Sequence, residues 1–161
     1  MGLDMYLQRR KNMLQQEFAD AYEDKFSGII YWRKANAIHK YFVDHGALET
    51  MGKPNVGYYY LNKEHLLNLL ERITAILDGE KHTQTHTYFD AFEMKEVSDE
   101  VEYNLNKRLA ADLLPTESGF FFGSTDYDYW YYRNLVRTSQ LIKRELAAVP
   151  DNKTWYYYAS W

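Results

Sequence analysis

Leu3, Met5 and Leu7 alternate with Asp4, Tyr6 and Gln8, the period of two that a half-buried strand requires. Residues 11 to 26 are polar and charged, with Phe18, Tyr22 and Phe26 at helical spacing, and predict a short amphipathic helix or an ordered insertion. After Ser27-Gly28, the run Ile29-Ile30-Tyr31-Trp32 is of strand type. Ala35, Ile38 and Phe42 then mark one face of a helix ending near Asp44-His45-Gly46, where Gly46 is expected in the left-handed position that closes helices. A turn between Gly52 and Gly57 leads into a strand from Val56 to Leu61. Asn62 is a good N-cap for a helix whose apolar face is traced by Leu66, Leu67, Leu70, Ile73 and Leu77, up to Asp78-Gly79.

From Glu80 to Glu96 no period survives, which predicts an exposed loop, a lid or an insertion. Ser98, followed by Asp99 and Glu100, is placed to cap a helix with Val101, Leu105, Leu109 and Leu113 on its buried side, ended by Pro115. Thr125 and Asp128 have the spacing of a capping box for a long helix carrying Leu135, Ile142 and Leu146. Pro150-Asp151-Asn152 forms a turn, and Thr154 to Ala159 a last strand. Strands and helices mix without strict alternation. The expected fold is therefore α+β: one domain over 1–161, a small and mostly antiparallel sheet with packed helices, and a flexible insertion at about 80–97.

Between the last two helices lies a block of aromatics, Gly119-Phe120-Phe121-Phe122-Gly123, followed by Ser124-Thr125-Asp126-Tyr127-Asp128-Tyr129-Trp130-Tyr131-Tyr132. Successive strand side chains point to opposite faces, so three consecutive Phe cannot all serve one core, and at least one face needs a second partner. Aromatics are 17% of the chain, with 16 Tyr, a residue suited to wet boundaries and ligand walls. The formal net charge of −4 argues against general nucleic-acid binding, which needs a basic stripe, but leaves room for a small anion held by a local cluster. The absence of cysteine removes a disulfide framework and thiolate metal sites, and fits a cytoplasmic location. No apolar run is long enough for a membrane span, and Tyr6 stands where a myristoylation signal wants Ser or Thr.

Two segments carry candidate chemistry. If the helix began at the end of its preceding strand, Trp32, Asn36 and His39 would share one flank and Arg33, Asn36 and Lys40 the next, bringing Trp32, Arg33, Lys34, Asn36 and His39 to a helix N-terminus whose free N–H groups favour an anion. The other reading is a solvated basic face with Trp32 in the core. In the aromatic block, Phe120, Phe121, Phe122 and the run from Tyr127 to Tyr132, Tyr129 included, offer rings for stacking, and Ser118, Ser124 and Thr125 offer hydroxyls; core packing accounts for the same rings equally well. His82, His86 and Asp90, four apart, would align only on a helix, which the surrounding threonines oppose; no metal and no cofactor is expected. Phosphate-loop, zincin and nucleophile-elbow signatures are absent, and the enzymatic alternative is an acid/base pair of His39 with a distant carboxylate such as Asp126 or Asp128.

Met1 to Leu7 (MGLDMYL), Tyr31 to Phe42 (YWRKANAIHKYF) and Leu113 to Tyr132 (LLPTESGFFFGSTDYDYWYY) resemble, in that order, a family of short, largely uncharacterised phage and prophage proteins. The Tyr58 to Leu70 strand and helix give a looser fourth likeness. The resemblance implies a small accessory protein in the host cytoplasm, without fixing an activity. Joined to the residues above, it suggests a binding protein that sequesters an anionic, nucleotide-derived host immune signal without turning it over. An enzyme modifying such a molecule, or an inhibitor docking on a host protein through its tyrosines, stays open, as does a homo-oligomer.

Overall fold

The computed structural model describes residues 2–9, 30–50, 56–149 and 154–161. The predicted helix within 11–26 and the turns at 52–57 and 150–152 fall wholly or largely outside them. The elements, in order, are β1 (Asp4–Arg9), β2 (Ile30–Arg33), α1 (Asn36–His45), β3 (Ala47–Thr50), β4 (Val56–Asn62), α2 (Lys63–Leu77), β5 (Glu80–Asp90), β6 (Lys95–Leu105), α3 (Lys107–Leu113), α4 (Tyr129–Ala148) and β7 (Thr154–Ser160). The fold is α+β. Five strands form a sheet in the order β2-β1-β7-β4-β3, every pairing antiparallel, with β7 at its centre.

The alternation in β1 does what its period requires. Met5 and Leu7 join Trp32, Leu61, Trp155, Tyr157 and Ala159 on the face that packs against the helices, all essentially without exposure. The opposite face carries Tyr31, Tyr6, Tyr158 and Tyr58 in register across four strands, with ring centroids 5.2, 5.7 and 4.9 Å apart, spacings at which aromatic pairs add to sheet stability.

On the core face, α2 buries Leu66, Leu69, Ile73 and Ile76. The helix exists as expected, but its buried stripe is rotated from the expected one: Leu67 is exposed and Leu70 only partly buried. Asn62 caps it as expected, and His65 returns the bond by accepting from the Asn62 N–H at 3.1 Å. Helix α4 buries Tyr131, Leu135, Thr138, Ile142 and Glu145. Glu145 accepts from Arg9 Nε at 2.6 Å and Nη2 at 3.2 Å, and from the Trp155 indole at 3.0 Å, which ties the helix to two neighbouring strands. Gly46 closes α1 in extended rather than left-handed backbone (φ −73°), its N–H donating to the Phe42 carbonyl.

The expected loop at 80–96 and the first half of the expected helix after Ser98 are instead the two strands of one hairpin, β5 paired to β6 from Glu80↔Leu105 to Asp90↔Lys95. The helical part begins at Lys107, capped by Asn106, whose side chain accepts from the Leu109 N–H. The hairpin springs from a tight junction. A Cβ on Gly79 would lie 2.0 Å from the Asn106 nitrogen and 2.3 Å from the Leu105 carbonyl carbon, both backbone atoms that cannot swing aside. Gly79→Ala should therefore destabilise the protein by about 3 kcal/mol as an overpacked site, measurable by urea unfolding; a change within about 0.5 kcal/mol would show that the junction yields.

Candidate functional site

Between β2 and α1 the chain turns a sharp corner at Lys34, whose φ of +56° is left-handed and costs a non-glycine residue roughly 1 kcal/mol. The corner is held from two sides. Lys34 N–H donates to the Leu3 carbonyl at 2.8 Å, and Gly123, itself at φ +90°, packs so closely that a Cβ there would sit 3.1 Å from the Lys34 Cβ. The two sequence segments singled out for chemistry thus meet in space.

Asn36 fastens them. Its amide donates to the carbonyls of Phe122 (3.1 Å) and Ser124 (2.9 Å), and its side-chain oxygen accepts from the Glu117 N–H (3.1 Å). Thr116 adds a bond to the Thr125 carbonyl at 2.8 Å, and Tyr131 donates to the Leu114 carbonyl. The connection from Leu114 to Asp128 is therefore a bonded loop without regular secondary structure, not a strand. Burial pushes the Tyr131 phenol far up, so it stays protonated and keeps the hydrogen it donates to Leu114.

What the loop and the corner enclose is an open cleft of about 580 Å³, within the range of small-molecule sites. Arg33 and Lys34, both exposed, stand on one side with Ala35 to Ile38, the first residues of α1. Thr116, Gly123, Ser124, Asp126 and Asp128 come from the loop, and Trp130, Tyr131, Asn134 and Leu135 from α4. The two helix ends differ in chemistry. Asp128 already caps α4, accepting from the N–H groups of Trp130 and Tyr131, so that end is neutralised. Ala35, at the N-cap of α1, has no side-chain oxygen and supplies no cap, leaving the positive end of that helix open to the cleft.

Of the residues expected to bind ligand, Arg33, Lys34, Asn36 and Ser124 line this cleft. The others are placed elsewhere. Trp32 lies on β2, before the helix, fully buried with its indole donating to Thr138 at 2.9 Å, so it cannot share a helical flank with Asn36 and His39. His39 is also buried; it pairs with the Tyr157 hydroxyl at 2.7 Å, sits among Phe122, Tyr157 and Trp161, and does not line the cleft that Asp126 and Asp128 line. Of the three Phe, Phe122 faces the core, whereas Phe120 and Phe121 (φ +67°) remain 82% and 42% exposed outside the cleft. Ser118 is exposed on the same loop. Tyr127 packs edge-on against Tyr131, its hydroxyl accepting from the Thr116 N–H, and Tyr129 packs against Tyr103 and Tyr132 at the base of the hairpin.

The ring the cleft does present is Trp130, half exposed, with Arg133 5.8 Å from its centroid and His86 edge-on at 4.9 Å. Trp130 belongs to the aromatic run read from the sequence and Asp126 enters there only as an acid/base partner of His39, whereas Asn134 does not stand out, although the four-residue step from Trp130 to Asn134 on a helix capped at Asp128 is a usable signal. His82 and His86 lie on a strand, where residues four apart are about 13 Å from each other, too far to share an ion; among the described residues no cluster of three ligating side chains forms. No described helix is long and apolar enough to cross a membrane. The chain matches no family model, no curated protein and no solved structure.

Proposed function

We propose that the protein binds a small anionic, nucleotide-like molecule in this cleft and retains it unchanged. The observation that carries the reading is the uncapped N-terminus of α1 opening beside Arg33 and Lys34 into a cleft with an accessible indole. Free N–H groups and two cations suit phosphate oxygens, and the indole suits a flat base. Asp126, on the loop side, suits the hydroxyl or amino donors of a ribose or base. Of the two carboxylates in the lining Asp128 is engaged as the cap of α4, and Asp126 has no histidine or thiol beside it in the lining to complete an acid/base or nucleophile pair, so binding rather than turnover is the reading we favour. The likeness to phage proteins makes a host defence signal the class to test first, with the protein acting as a sponge against it.

Calorimetry against mono- and dinucleotides, cyclic ones included, checks the proposal. The wild type should saturate at a fixed stoichiometry and release the nucleotide intact on heating. Arg33→Ala with Lys34→Ala should weaken binding at least about tenfold, or 1.4 kcal/mol, with little change in melting temperature. Many nucleotides altered per protein would replace the sponge with an enzyme. No binding of any, with capture of a host protein lost on replacing exposed Phe120 and Phe121, would favour the inhibitor reading.

A further inference from the structure

The β5–β6 hairpin is an arm. Eleven residues per strand reach about 36 Å, and its ring contacts with α4 involve Tyr129, Trp130 and Tyr132, met by Tyr103 and His86 on its inner half. Beyond His86 it carries Phe89 at 59% exposure, Met94 at 74% and Phe92 fully exposed at the turn. An isolated two-stranded ribbon is marginal in water, and an apolar tip on one marks a contact surface.

The arm is also acidic and α4 is basic. Glu96 and Glu100 stand on the same face of the arm as Phe89, all exposed. On α4, Arg133, Arg137, Gln140 and Arg144 follow one another at steps of four, three and four residues. They line a shallow groove of about 460 Å³, with Tyr129, Tyr132, Val136 and Leu141 as its apolar part. The one acid of α4, Glu145, is buried on Arg9, and among the described residues Arg137 and Arg144 form no ion pair. In a chain of net charge −4 these are two patches of opposite charge, the basic groove beside the arm's base and the acidic, apolar stretch beyond it.

We propose that the chain forms a two-fold dimer in which the arm of each copy lies along the α4 groove of the other, its Phe side chains on the apolar floor and Glu96 and Glu100 among the arginines. Reciprocal exchange uses the same two patches twice and closes. Arm-to-arm pairing would set acid against acid, and helix-to-helix pairing would set cation against cation, so charge selects the crossed arrangement over both.

Charge reversal tests it, read by sedimentation velocity, with circular dichroism confirming that each variant is folded. The wild type should sediment as a dimer that dissociates at high salt. Glu96→Arg with Glu100→Arg should give a monomer, because a basic arm meets a basic helix. Arg137→Glu with Arg144→Glu should give a monomer for the converse reason. Mixed, the two variants should form a heterodimer, since both crossed contacts then pair opposite charges. A monomeric wild type, a dimer indifferent to both reversals, or two monomeric variants that fail to associate on mixing would each overturn the proposal; in the first case the patches serve other molecules.

Discussion

Leu69→Ala should cost about 2–5 kcal/mol of folding stability, whereas Leu67→Ala, two residues earlier on the same helix, should cost well under 1. Leu69 is fully buried in α2, in the stripe with Leu66, Ile73 and Ile76 that packs on the core face of the sheet, while Leu67 is 42% exposed. Truncating Leu69 removes buried methyl groups and leaves a cavity that neighbouring side chains refill only in part. Truncating Leu67 removes surface that water already reaches. Urea unfolding of both variants decides the matter, and equal losses would mean that the helix is rotated from the phase described.

That rotation shows how much of the fold was legible. The strands at both ends of the chain, α1, α2 and the antiparallel sheet were readable because alternation marks the strands, apolar spacing marks the helices and Asn62 caps α2. The phase of α2 was not, because Leu66, Leu67, Leu69 and Leu70 are consecutive enough to support either of two stripes. The hairpin was missed for a different reason. Its outward face sets Thr83, Thr85 and Thr87 against Glu102, Glu100 and Ser98, and the face turned to α4 carries His82, Gln84 and His86, so polar residues stand on both faces and little alternation shows. The step of four from Val101 to Leu105 is an even number, which keeps one face of a strand as faithfully as one face of a helix.

The candidate cleft joins the two segments that the sequence singles out, but most of its side chains could not be read there. Charge at Arg33 and Lys34 and hydrogen bonding at Asn36 could be located because a strand-to-helix corner is a local event. Asn36, however, spends its amide on holding the loop from Glu117 to Ser124, a role visible only once three distant carbonyl and N–H groups have been placed around it. The run of three Phe was rightly too much for one core face. The chain answers it with a turn at Phe121 that sends Phe122 inward and leaves its neighbours in solvent, rather than with a stacking wall.

His39 carries the remaining large prediction. Its ring is 3% exposed and its Nδ1 pairs with the Tyr157 hydroxyl among three aromatic rings. Burial depresses its pKa from 6.5 to about 4, outweighing the opposite pull of Asp44. In the unfolded chain the imidazole takes up a proton near pH 6.5; in the folded protein it stays neutral down to about 4. Between those values the unfolded state binds more protons, so stability falls as the pH is lowered through the window and is unaffected by this group above it. A depression of this size is worth about 3 kcal/mol by pH 4. His39→Gln, which retains an amide able to meet the Tyr157 hydroxyl, should be less stable than the wild type at pH 8 and should lose less stability on acidification. Urea unfolding of both proteins at several pH values between 8 and 4 gives the two profiles; parallel curves would show that some other group titrates, and that His39 is not the acid-sensitive element of this core.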